Sequence, residues 1–140
     1  MIGYIRWPQD RLEAVKLNIR FKLLVLAKLG IKIVPTANDA MALAQGTLDG
    51  TTSHDERVEA ADQWWAMIMD GKFPRLPDGS MNPERLNASL ALSIISVFEE
   101  NYEEFEDDIT YFFDTLHEIG ADDTKAVEMM KVFFEFNSNI

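Results

Sequence analysis

Carboxylates are the most abundant groups in this chain that could do chemistry: 24 Asp and Glu stand against 13 Lys and Arg. Six of them form two parallel series. Glu99, Glu103 and Asp107 are four apart, and so are Glu100, Glu104 and Asp108. On a continuous helix this spacing sets two adjacent rows of negative charge along one side. Like charges so placed repel, by about 0.2–0.5 kcal/mol per pair. The functional reading of the rows is a docking surface for a basic partner, or an imitation of a phosphate backbone. The plain reading is a solvated face answered by the basic start of the same chain.

Other candidate chemistry is thin. The only histidines are His54 and His117. His54-Asp55 resembles half of a metal-phosphohydrolase pair, but such a site needs further histidines. Asp114-x-x-His117 has the spacing used in carboxylate-bridged di-metal bundles, which need that motif twice. His54 therefore reads as a surface residue in a first helical turn. His117 reads as a helix-end residue, where the dipole favours a cation. No metal or cofactor is expected. Cysteine is absent, which excludes disulfides and thiolate chemistry. Serines and threonines sit at caps and loops, with no nucleophile elbow and no glycine-rich phosphate loop. Asp49-Gly50 lacks the rest of a calcium loop, and Asp78-Gly79 is a turn. No catalytic residue is assigned.

The aromatics offer contacts instead. Trp64 and Trp65 point about 100° apart on a helix, so both are buried only if that helix is covered on two sides. Trp65 is placed in the core and Trp64 as a candidate interface anchor. The apolar stretch Val132-Phe133-Phe134-Glu135-Phe136 is expected to dock on the core, because left exposed it would invite association. The loop around Phe73-Pro74-Arg75-Leu76-Pro77 is a further possible contact.

Helices must position all of these. Leu12, Val15, Ile19, Leu23 and Leu26 step by three or four, widened by Leu17, Phe21, Leu24 and Val25. So broad an arc puts this first helix at the centre, starting near Pro8 and ending at Gly30. Ile31–Val34 reads as extended. Thr36 begins a short helix over Ala37–Gln45 that Gly46 ends. Ser53 and Glu56 form a capping-box pattern, followed by a face of Val58, Ala61, Trp65 and Ile68, joined by Trp64 and Met69, that closes at Gly71. Asn82-Pro83 starts another helix, on which Leu86, Leu90, Ile94, Val97 and Phe98 share a face. That pattern continues to Leu116, too long for one helix, so a break belongs near Asn101 or at Asp107/Asp108. Asp122 or Asp123 caps a last helix. The expected fold is all-α: a single domain over 1–140, an irregular or orthogonal bundle of five to seven helices with little or no strand.

Length and composition agree with one core: 140 residues, 47% hydrophobic and 26% charged. The net charge of −11 is uneven. Residues 1–35 carry +5, and 36–140 carry −16. Eleven acids and no Lys or Arg lie between Arg85 and Lys125. This disfavours direct binding to nucleic acid or to an anionic membrane, both of which need a basic face. The apolar stretch at Phe21–Ile31 is broken by Lys22 and Lys28 and is far short of the roughly 20 residues that span a bilayer. The first residues lack the pattern of a secretory leader, so a cytoplasmic protein is expected.

The function expected from these features is a non-catalytic inhibitor that binds a basic protein. The type is an immunity protein neutralising a toxin enzyme such as a nuclease. Its contact residues are expected among Glu99, Glu100, Glu103, Glu104, Asp107, Asp108 and Trp64. Three alternatives stand beside it. One is a phage anti-defence mimic of nucleic acid, acting on a nucleic-acid-binding effector. Another is a small metal-dependent helical enzyme. The last is a homodimeric regulator, so either a monomer or a homodimer fits.

Overall fold

A computed structural model describes residues 8–71, 73–95 and 102–134, with the backbone only at 102–106 and 123. It contains six helices: α1 (Arg11–Leu29), α2 (Ala40–Asp49), α3 (His54–Met69), α4 (Pro83–Ile95), α5 (Tyr102–Glu118) and α6 (Asp123–Phe133). There is no strand among the described residues. The fold is all-α, with a helix count inside the expected range.

The central helix is α4, not α1. Leu86 and every residue from Ala88 to Ile95 are buried, and α4 packs against α1, α2, α3 and α5. Its small residues explain how so many neighbours fit: Ala88, Ser89, Ala91 and Ser93 let helix backbones approach closely. The buried Ser93 hydroxyl donates back to the Ser89 carbonyl at 2.9 Å, so it carries no unmet donor into the core. α1 also has several neighbours, touching α2, α4, α5 and α6, but Leu12 and Leu24 of its arc face solvent. One apolar cluster joins residues from all six helices.

Of the C-terminal apolar stretch Phe133 and Phe134 dock, whereas Val132, expected to dock with them, is 81% exposed. Phe134 is buried, and Phe133 and Phe134 lie with ring centroids 5.5 and 4.9 Å from Phe21 of α1. Phe113 of α5 meets the same ring edge-on at 6.1 Å. Glu135 and Phe136 lie outside the described residues.

Capping chemistry sets most boundaries. Asp10 accepts from the Glu13 amide at 3.0 Å and starts α1, so Pro8 stands two residues before the cap and not at the first helical position. The Ser53–Glu56 box is reciprocal, with both bonds at 3.1 Å. Asn82 accepts from the Glu84 amide at 2.8 Å ahead of Pro83. Asp122 caps α6 through the Lys125 amide at 3.0 Å. Gly30 and Gly120 adopt positive φ, of 69° and 78°, where α1 and α5 end. Ile31–Val34 has no regular secondary structure and pairs with no strand among the described residues. The side-chain amide of Asn87 takes that role, accepting from the Val34 amide at 2.7 Å and donating to its carbonyl at 2.9 Å.

α2 begins and ends later than its composition implies. Asp39, not Thr36, caps it through the Ala42 amide at 3.1 Å. Gly46 does not end it but lies buried inside it. The α2–α3 loop folds back onto that glycine, with the Thr51 and Thr52 amides donating to its carbonyl at 2.8 and 3.1 Å. A Cβ at position 46 would stand 2.1 Å from the Thr52 hydroxyl and 3.2 Å from its Cβ. Gly46→Ala is therefore expected to lower stability by about 1–3 kcal/mol in urea unfolding. It should do so although Ala exceeds Gly by about 1 kcal/mol in an unhindered helix. A raised urea midpoint would contradict the close approach of this loop.

Candidate functional site

Two polar residues interrupt the buried stripe of α1. Asn18 and Lys22 are one turn apart and in phase with Val15, Ile19, Val25 and Leu26, so both point into the core. Lys22 is fully buried. Its ammonium is paired with the carboxylate of Asp108 on α5 and donates to the Ser93 carbonyl of α4 at 2.6 Å. Asn18 Nδ2 donates to the same Asp108 oxygen at 2.8 Å. The Phe112 ring centroid lies 5.8 Å from Lys22 Nζ. Burial pulls the Lys22 ammonium below the ordinary Lys range, and the Asp108 carboxylate opposes that pull.

This arrangement corrects the expected role of Asp108. It is 4% exposed and committed to the core, so it cannot meet a partner. The reason is helical phase. Asp108 lies one turn before Phe112 and two before Leu116, both fully buried, whereas Asp107 is rotated about 100° away and is exposed. The second carboxylate row thus turns inward at its end. α5 runs unbroken through Asp107 and Asp108, which removes one of the two expected break points. Asn101, the other, lies outside the described residues, as do Glu99 and Glu100. Glu103 and Glu104 fall on the α5 backbone, and their side chains are not among those described.

The tryptophans exchange places. Trp64 is fully buried, and its indole N–H donates to Asn38 Oδ1 at 2.7 Å. Asn38 in turn donates to the Ala60 carbonyl at 3.0 Å and to Gln63 Oε1 at 2.8 Å, tying the segment before α2 to α3. Trp64 is therefore no interface anchor, and Trp65 is the exposed one, at 45%. The inward face of α3 is Arg57, Ala60, Ala61, Trp64 and Ile68. The spacing in the sequence places Val58 on this face, with Ala61, Trp65 and Ile68. Arg57 enters the core instead, with Nη1 donating to Thr47 Oγ1 at 3.3 Å.

That rotation determines what α3 shows to solvent. Val58, Trp65 and Met69 lie along one outer side, exposed by 46, 45 and 80%. Asp55, Glu56, Glu59 and Asp62 are exposed on the same helix. Arg57, its only Lys or Arg, is inside, so the exposed formal charge on α3 is wholly negative. Among the described residues, no group of three His, Asp or Glu side chains is placed to hold a metal ion. None of the described helices is long and apolar enough to cross a membrane. No family model, curated protein or solved structure matches the chain.

The two neighbouring aspartates give a direct comparison. Asp108→Asn is expected to cost about 3–5 kcal/mol by leaving Lys22 buried without its counter-charge. Asp107→Asn should stay within about 0.5 kcal/mol of the parent. Urea unfolding of both variants checks this, and equal effects would contradict the assigned burial.

Proposed function

We propose that this protein is a non-catalytic binding module that docks a basic protein on the outer side of α3 and inhibits it by covering it. The observation that carries this reading is Trp65, half-exposed between Val58 and Met69, with the exposed carboxylates of Asp55, Glu59 and Asp62 on the same helix. A tryptophan in an apolar patch is the side chain best suited to anchor an interface. Carboxylates around it select a basic partner and speed its approach. The charge of −16 over residues 36–140 extends the same attraction over the molecule. An immunity-type protein that neutralises a basic toxin enzyme, such as a nuclease, in the cytoplasm has this character.

The nucleic-acid mimic loses support, because it relies on two intact carboxylate rows and Asp108 lies in the core. A metal site at His54 is disfavoured by charge, since Nδ1 of that ring lies 3.5 Å from the Arg57 guanidinium.

The test is a pull-down from native lysate at low and high salt, with the parent, Trp65→Ala and Glu59→Gln/Asp62→Asn as baits. The expected result is one stoichiometric basic protein, bound at least about tenfold more weakly by Trp65→Ala. Its capture should also fall with salt and with loss of the two charges. Because Trp65 and both acids are exposed, unfolding midpoints should change little. No partner, or a partner indifferent to Trp65, would overturn the reading.

A further inference from the structure

A second site lies where the start of α3 meets α1 and α2. There a half-open cavity of about 350 Å³ is lined by Lys16, Thr47, Thr52, Ser53, His54 and Arg57, together with Leu12 and Gly50. In a chain of 24 acids, none of these lining residues is a carboxylate. Arg57 is 1% exposed, with Nη1 on Thr47 Oγ1 at 3.3 Å and Nη2 3.5 Å from His54 Nδ1, so its guanidinium is held in place at the cavity wall. Lys16 arrives from α1 with its side chain 22% exposed, and its nearest acid, Glu13, is 4.0 Å away. Ser53 caps α3 here, so the positive end of that helix dipole adds to the two cations. Asp55 and Glu56 share the first turn of α3 but are exposed and do not line the cavity.

We propose that this cavity binds the phosphate group of a small phosphomonoester. Three kinds of donor come from three places: a guanidinium from α3, an ammonium from α1, and the Thr52 and Ser53 hydroxyls of the α2–α3 loop, the Thr47 hydroxyl proton being donated to the Leu43 carbonyl at 2.9 Å. A tetrahedral anion with several oxygens can meet them together, whereas a planar carboxylate offers two. Arg57 is suited to the task because its fork is already oriented and always charged. The volume is at the lower end of the roughly 300–1,000 Å³ of small-molecule pockets. It leaves room beyond a phosphate for a short organic body, and Leu12 offers that body an apolar contact. This site uses the inward side of the start of α3 and Lys16 of α1, not Trp65. It stands or falls independently of the protein-binding reading.

The test is an NMR amide titration of the full chain with inorganic phosphate and with glycerol phosphate, against chloride and acetate at matched ionic strength. The expected result is saturable shifts at Thr52, Ser53 and His54 with both phosphates and not with the other anions. Lys16→Gln, at a partly exposed position that the core does not need, should weaken binding about tenfold. Arg57→Lys should weaken it further where that variant folds, and Lys16→Gln decides the matter where it does not. Shifts that grow without saturating, that acetate reproduces, or that Lys16→Gln leaves unchanged would overturn the proposal.

Discussion

The ion pair between Lys22 and Asp108 is the constraint around which the bundle is organised. Each charge loses several kcal/mol of hydration on entering the core. The pair is tolerable only because each partner finds more than one hydrogen-bonding group. The ammonium takes the carboxylate and the Ser93 carbonyl, and the carboxylate takes the ammonium and the Asn18 amide. Three helices are joined at one point. Apolar packing alone tolerates some rotation of a helix about its axis, but a buried charge does not. The pair therefore fixes the rotation of α1 and α5, and with it which acids of α5 reach solvent.

A second polar lock does the same for α3. The Trp64 indole is held by Asn38, and Arg57 is held by Thr47 on α2. With those two side chains directed inward, Val58, Trp65 and Met69 are left outside among the carboxylates. The outer side of α3 and the cavity at its start are opposite consequences of one helix rotation. One presents negative charge around an apolar patch. The other gathers positive charge where no carboxylate lines the wall. An acidic protein thus has a small half-open cavity whose wall holds Lys16 and Arg57 and no carboxylate.

The fold class was legible in the sequence because it rests on local signals. Caps at Ser53, Asn82 and Asp122 and stops at Gly30, Gly71 and Gly120 need no knowledge of neighbours. What could not be read locally was the meaning of charged residues. Lys22 looked like an interruption of an apolar run, yet its phase with Ile19 and Leu26 already pointed inward. Asp108 looked like a member of an acidic row, although Phe112 and Leu116 share its phase. Arg57 displaced the expected core register of α3 by one residue, and Trp64 and Trp65 changed places with it. Gly46 read as a helix stop, because only the folded loop reveals that Thr52 needs the space. In each case a contact made only in the folded chain overrode a rule based on residue type.

The most direct test of this account is a double-mutant cycle on the central pair, with Lys22→Met, Asp108→Leu and both together followed by urea unfolding. The account predicts that the double variant recovers most of the stability lost in each single variant, since neither charge is then buried alone. It also predicts that the double variant keeps the parent helix content by circular dichroism. Losses that simply add would contradict the pairing and, with it, the orientation assigned to α1 and α5.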